Sequence, residues 1–182
     1  MIGISVSRRY AKALVALLDT AEELEEVRRQ LGEYEALIGS STELRAILYN
    51  PTVAMPVKHG IQQQLLERLQ ALPIIRQFLN LLLEKNRLRF LGTILKIYAD
   101  LMNERLNRVH AKVTTRYPLP PASAEQMRQR LAQATGKEVI IEAEVDEQML
   151  GGVVTQIGGL VLDGSVRTHL RTIREELARS TS

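Results

Sequence analysis

The chain contains no cysteine and no tryptophan, and only two phenylalanines and five tyrosines among its 182 residues. Without cysteine there can be no disulfide, thiolate zinc site, iron–sulfur cluster or cysteine nucleophile, so packing alone must hold the fold. No apolar run approaches the roughly 18 residues that a membrane span requires. Met1-Ile2-Gly3-Ile4 is followed closely by Arg8 and Arg9, unlike a secretory signal. The expectation is a soluble protein on the cytoplasmic side of a membrane. Aromatics at 4% also argue against a surface built to stack nucleic-acid bases.

What is present suits packed cores: 45% hydrophobic residues against 25% charged exceeds what a disordered chain carries. The length is above the usual domain size of roughly 100–150 residues, which permits two small domains. A net charge of +3 and a pI near 9.3 raise the alternative of a basic nucleic-acid-binding module. The charge is thinly spread, however, with 15 basic against 12 acidic residues in 1–108 and 9 against 9 in 109–182. Arg128, Arg130, Arg167, Arg171, Arg174 and Arg179 are the best candidates for phosphate contacts, yet their half of the chain is neutral, whereas such binding needs a concentrated field.

The first half carries a helical period almost throughout. Val6, Tyr10, Ala13, Leu14 and Leu17 form one side of an opening helix. Thr20 with Glu23 makes a capping box before Leu24, Val27, Leu31, Tyr34 and Ile38, and Ser40 with Glu43 repeats that pattern before Leu44, Ile47 and Leu48. Pro51 ends this short helix at Asn50, and Pro56 suits the first turn of the next. That helix has a narrow stripe of Ile61, Leu65 and Leu69 beside a polar Gln62-Gln63-Gln64 flank. After Pro73, residues Ile74, Ile75, Phe78, Leu79, Leu81, Leu82 and Leu83 wrap roughly 200° at 100° per residue, about twice an ordinary core stripe. A sixth helix, with Leu88, Leu91, Ile94, Leu95, Tyr98, Leu101 and Met102 on one face, continues to about Val109. Six helices joined by short connections predict a bundle over residues 1–108.

From Val109 the period is two: Val109, Ala111, Val113, Thr115 and Tyr117 face one way, and His110, Lys112, Thr114 and Arg116 the other. After Pro118-Leu-Pro120-Pro121, Ser123 and Gln126 suggest a capping box for a helix carrying Met127, Leu131 and Ala134 and closed by Gly136. A second strand alternates Val139, Ile141, Ala143 and Val145 with Glu138, Glu142 and Glu144. Val153, Thr155 and Ile157 lead into a Gly158-Gly159 hairpin turn and out through Leu160-Val161-Leu162. Asp163-Gly164-Ser165 is expected to break the strand and start a last helix, with Val166, Leu170, Ile173 and Leu177 inward and its arginines in solvent. Residues 109–182 thus read as a small α/β domain with a short sheet and two helices.

Catalytic motifs are missing from this pattern. His59, His110 and His169 have no metal-like spacing. Gly136-Lys137 lacks the first glycine and the Ser or Thr of a phosphate loop, and Gly151-Gly152 precedes a strand instead of a helix. Paired carboxylates such as Glu22-Glu23, Glu25-Glu26, Glu142 and Glu144 lie on solvated faces, and none interrupts an apolar face where its pKa would rise. No catalytic, cofactor or metal residue is assigned. The surplus is apolar: Ala11, Val15 and Leu18 flank the opening stripe, and the helix from Ile74 is apolar on two sides. Either both helices are central in the bundle, or their outer faces form a groove for an amphipathic partner helix.

Arg9-Tyr-Ala-Lys-Ala13, together with Met149-Leu-Gly-Gly-Val-Val-Thr-Gln-Ile-Gly158 and Val161-Leu-Asp-Gly-Ser-Val166, resembles the motifs of the delta subunit of F-type ATP synthases, whose mitochondrial counterpart is the oligomycin-sensitivity-conferring protein. The resemblance spans essentially the whole chain. It departs at Thr155, Gln156 and Gly159, where an apolar, a basic and a polar or acidic residue are expected. It implies a non-catalytic stator subunit without cofactors, touching the membrane only through its complex. The N-terminal domain would bind alpha-subunit N-termini of the catalytic head, and the C-terminal domain the b subunits of the peripheral stalk. The groove would then involve Tyr10, Ala13, Leu14, Leu17, Phe78, Leu79 and Leu82.

Overall fold

The computed structural model describes residues 2–180, with side chains described for residues 3–174. Contacts divide the chain into two compact units, Met1–Leu106 and Asn107–Ser182. Among the described residues there are eight α-helices and one four-stranded mixed sheet, an α plus α/β fold.

The first unit contains α1 (Ile2–Ala16), α2 (Ala21–Ser40), α3 (Thr42–Tyr49), α4 (Met55–Arg68), α5 (Pro73–Glu84), a 3-10 turn (Leu88–Phe90) and α6 (Leu91–Arg105). Local chemistry sets the helix starts. At α2 the Glu23 N–H donates to Thr20 Oγ1 and the Thr20 N–H to Glu23 Oε2, both at 3.2 Å. Backbone hydrogen bonds from Asp19 and then Thr20 hold the Glu23 carboxyl below its usual pKa. Ser41, and not Ser40, caps α3 by accepting from the Leu44 N–H at 3.2 Å. Ser40 is still helical and its hydroxyl bonds back to the Leu37 carbonyl, so the cap falls one residue later than spacing suggests. Pro56 and Pro73 occupy the first turns of α4 and α5, where a missing N–H costs nothing.

Leu24, Val27, Leu31, Tyr34 and Ile38 of α2 pack in one core with Leu91, Ile94, Tyr98 and Met102 of α6. Polar tethers pass through that core. The Tyr98 hydroxyl donates to the Leu24 carbonyl at 2.9 Å, and the Leu72 N–H donates to Gln30 Oε1 at 3.0 Å. Tyr34 donates to Gln62 Oε1 at 3.2 Å, and Gln62 Nε2 donates to Asn80 Oδ1 at 2.6 Å. Burial pushes both tyrosine hydroxyls above their ordinary pKa. Gln62 is therefore no solvent flank: Lys58, Gln62 and Leu66 form the buried face of α4, while Ile61, Leu65 and Leu69 are half-buried. Two satisfied amide bonds offset the cost of placing a glutamine there.

In the second unit the elements are β1 (Arg108–Thr115), α7 (Pro121–Thr135), β2 (Glu138–Val145), β3 (Gly152–Ile157), β4 (Leu160–Ser165) and α8 (Val166–Ser180). α6 stops at Arg105, short of Val109, because Asn107 takes a left-handed φ of 53° and turns the chain into β1. Strand order is β2-β1-β3-β4, with β1 parallel to β2 across the α7 crossover and the other pairs antiparallel. Ala111, Val113 and Val139 form the buried centre, and α7 packs on β2 with Met127 and Leu131 half-buried and Ala134 exposed. On the opposite face, cross-strand pairs Arg108–Glu138, His110–Glu142 and Lys112–Glu144 lie at 2.8, 2.7 and 2.8 Å.

Three local expectations change. α7 starts at Pro121 with Pro120 before it, which leaves Ser123 inside the first turn without a capping bond. β4 does not break at Asp163-Gly164-Ser165 but stays paired with β3 to Ser165. Gly152, at φ 85°, sits so close to this strand that a Cβ there would fall on the Gly164 carbonyl. The side chains of Leu177 and Arg179 lie outside the described residues. Val166, Leu170 and Ile173 are exposed and not inward, because α7 already covers the β1–β2 end of the sheet and α8 contacts chiefly β4. Gly136, at φ 66°, closes α7, and Gly158, at φ 57°, turns the β3–β4 hairpin.

Candidate functional site

α1 is rotated from the face its apolar spacing suggests. Ser7, Ala11, Leu14 and Val15 are its buried residues, followed by buried Leu18 just past its end, and α1 packs extensively against α6. Ser7 is admitted because its hydroxyl donates to the Gly3 carbonyl at 2.8 Å. Arg105 of α6 donates to the Val15 carbonyl at 2.5 Å, reinforcing an acceptor near the end of α1 that otherwise takes only the long 3.4 Å bond from the Leu18 N–H. This rotation leaves Ala13 and Leu17 exposed and Tyr10 half-buried at the edge of the core.

These residues form one wall of a groove of about 450 Å³, lined by Arg9, Tyr10, Ala13, Leu14 and Leu17 together with Ile74, Gln77, Phe78, Leu81 and Arg87. Leu14 and Phe78 are buried at its base, whereas Leu17 is 69% exposed and Leu81 is 41% exposed. Tyr10 and Phe78 meet edge to face with centroids 6.1 Å apart, a favourable aromatic geometry. Arg87 donates to the Tyr10 hydroxyl at 2.7 Å, with its guanidinium 5.5 Å from the ring centroid. Five of the seven residues assigned from sequence therefore line the groove. Leu79 and Leu82 do not: both are 0% exposed in the core behind it. The sequence reading also missed Arg9, Ile74, Gln77, Leu81 and Arg87, of which Ile74 and Leu81 were legible as surplus on α5 but carried no sign of facing outward.

A second uncovered apolar area lies in the second unit. Leu160 and Leu162 on one face of β4, Val161 on the other, and Val166, Leu170 and Ile173 of α8 are all exposed. Val166, Leu170 and Ile173 follow i, i+4, i+7 spacing and so share one helix face. An exposed apolar stripe along a helix, such as this one on α8, marks interaction surfaces more often than solvent surfaces. Chemistry is not concentrated beside either area. Among the described residues no group of three or more His, Cys, Asp or Glu could hold a metal, and no helix is long and apolar enough to cross a membrane.

Residues 6–177 match the family model described as ATP synthase delta (OSCP) subunit. The chain is 39% identical over 177 residues to the ATP synthase subunit delta of Anaeromyxobacter sp. (strain Fw109-5), covering 97% of this chain and 99% of the relative. It is 37% identical over 175 residues to that of Citrifermentans bemidjiense, covering 96% and 97%.

The chain belongs to the ATP synthase delta (OSCP) subunit family.

Its place is accordingly that of a structural, non-catalytic subunit of the ATP synthase peripheral stalk. The fold agrees with a chain in the structure of the Toxoplasma gondii mitochondrial ATP synthase hexamer, at a TM-score of 0.64 and 22% identity over 94% of this chain and 97% of that one. The delta-subunit motif at Arg9–Ala13 contributes Arg9, Tyr10 and Ala13 to the groove. The later motif supplies the β3–β4 hairpin and the exposed residues of β4.

Proposed function

We propose that this delta-family chain is a stator connector with two docking surfaces, one on each unit. The groove between α1 and α5 takes the amphipathic N-terminal helix of an alpha subunit of the catalytic head. The exposed apolar stripe of α8, with the neighbouring Leu160 and Leu162 of β4, takes the far end of the stalk b subunits. The observation that carries the reading is the groove: an apolar trough with Leu17 and Leu81 exposed at its edges. Fully burying a leucine side chain contributes ~1.5–3 kcal/mol; with Leu17 69% and Leu81 41% exposed, covering both gains about one such increment toward the roughly 8 kcal/mol of a micromolar affinity.

The six-helix bundle of residues 1–106 then acts as a head-binding domain and residues 107–182 as a stalk-binding domain, on the cytoplasmic side of the membrane. Rotation of the central shaft loads the head with torque, and a connector held at both surfaces passes that load to the stalk. Both contacts lie in one assembly, so modest individual affinities combine through effective concentration. Leu79 and Leu82 anchor α5 in the core and make no contact with the partner. Calorimetric titration of the full chain with a peptide of the alpha-subunit N-terminus tests the groove. Wild type binds, and Leu17→Asp weakens binding at least tenfold while remaining folded. Wild-type strength in that variant would overturn the assignment.

A further inference from the structure

Apolar surface alone does not say which amphipathic helix the groove prefers, but its charge does. Ten residues line it, two of them cationic, Arg9 and Arg87, and none acidic. Some surface arginines are matched within their own helix, Arg28 with Glu25 at 3.0 Å, Arg29 with Glu26 at 2.6 Å and Arg128 with Glu125 at 2.6 Å; the groove differs in that its lining offers cations and no acid. Arg9 and Arg87 have no acidic partner within ion-pair distance among the described residues. Arg87 is also half-buried and held in place by its bond to the Tyr10 hydroxyl and its position over the Tyr10 ring. A guanidinium fixed in this way loses little freedom when a carboxylate arrives.

We propose that Arg9 and Arg87 form a carboxylate-reading end of the groove, selecting an amphipathic helix that carries an acidic side chain at one end of its apolar stripe. This rests on the groove being a helix-docking site. Both cations flank Tyr10, whereas Leu17, just past the end of α1, lies about two turns further on, roughly 10 Å away. The groove is therefore cationic at one end and apolar at the other. An occupant with its acid at the matching end satisfies both, and the reversed helix leaves its acid against Leu17 without a partner. The charge pair thus sets the direction in which the helix lies. Apolar walls reduce screening around it, which strengthens the pair relative to one in open solvent.

The test is calorimetric titration of the full chain with two synthetic peptides, the alpha-subunit N-terminal segment and the same segment with Asp and Glu replaced by Asn and Gln. It uses wild type, Arg9→Gln, Arg87→Gln and the distant control Arg28→Gln. The native peptide should bind wild type about three- to tenfold more tightly than the neutral one. That advantage should shrink between about 50 and 500 mM salt and should be reduced in Arg9→Gln and Arg87→Gln but not in Arg28→Gln. Equal affinity of wild type for both peptides would overturn the charge reading while leaving the groove standing. An Arg87→Gln variant that weakens both peptides equally would show that Arg87 acts only by supporting Tyr10, which also overturns it. Failure of wild type to bind either peptide would remove the groove reading itself.

Discussion

In the helical unit twenty-two apolar residues are buried in a single core, whereas in the second unit the buried apolar residues among those described are Ala111, Val113 and Val139. The helical unit leaves only four large apolar side chains exposed among those described, Ile4, Leu17, Val57 and Leu81, and two of them, Leu17 and Leu81, line the groove. In the second unit β4 and α8 expose most of theirs. The first resembles a finished domain with a recess. The second resembles half of a core whose other half is another chain, as in interfaces that stay assembled. Stability and docking should consequently separate in the helical unit and be linked in the second.

The most severe test of that contrast is Leu82→Asp. It places a charge at a 0% exposed site and should cost more than about 4 kcal/mol, abolishing the cooperative thermal transition followed by circular dichroism. A folded variant with unchanged Tm would mean that Leu82 faces the groove after all. Next comes Gly152→Ala, where a left-handed φ and the Gly164 carbonyl exclude a side chain. It should lose about 2 kcal/mol or more, and amide exchange should show that loss in β3 and β4.

A smaller effect is expected at the α2 cap, where Thr20→Ala should cost about 1 kcal/mol in thermal unfolding. The pH dependence sharpens it. Because the Glu23 pKa is lowered from 4.5 in the folded chain, its contribution is complete above that value and is lost as pH falls below it. Thr20→Ala keeps the backbone N–H groups of Asp19 and Thr20 that lower this pKa, so it should retain most of that loss on acidification below about pH 4.5, whereas Glu23→Gln should remove it. Smallest of all, Leu17→Asp and Leu170→Asp should change stability by less than about 0.5 kcal/mol, since both side chains are already exposed. A large loss in Leu170→Asp would show that α8 is held inward, against the contrast drawn between the units.

Much of the architecture could be read in advance where local rules act alone. The Thr20–Glu23 box, the two prolines opening α4 and α5, the switch to period two and the Gly158 turn are all set by neighbouring residues. What could not be read is which way an apolar arc points. Periodicity gives its width but not its zero, so α1 is rotated by Ser7 and Ala11, whose small side chains suit a close approach to α6. The wide arc of α5 hid the division between Leu79 and Leu82 inside and Ile74 and Leu81 at the groove. Gln62 was misread for a related reason, since its partners Tyr34 and Asn80 come from other helices. In the second unit the exposed face of α8 reads like a core stripe because sequence does not say whether the covering surface belongs to the same chain.

The central claim is that one chain carries two independent docking surfaces. It is tested most directly by sedimentation of the full chain with the alpha-subunit N-terminal peptide and a soluble C-terminal segment of the b subunit, together and separately, using wild type, Leu17→Asp and Leu170→Asp. The account predicts a ternary complex with wild type, loss of the alpha peptide alone in Leu17→Asp and loss of the b segment alone in Leu170→Asp. Competition between the two ligands for wild type, or loss of both in either folded variant, would contradict it.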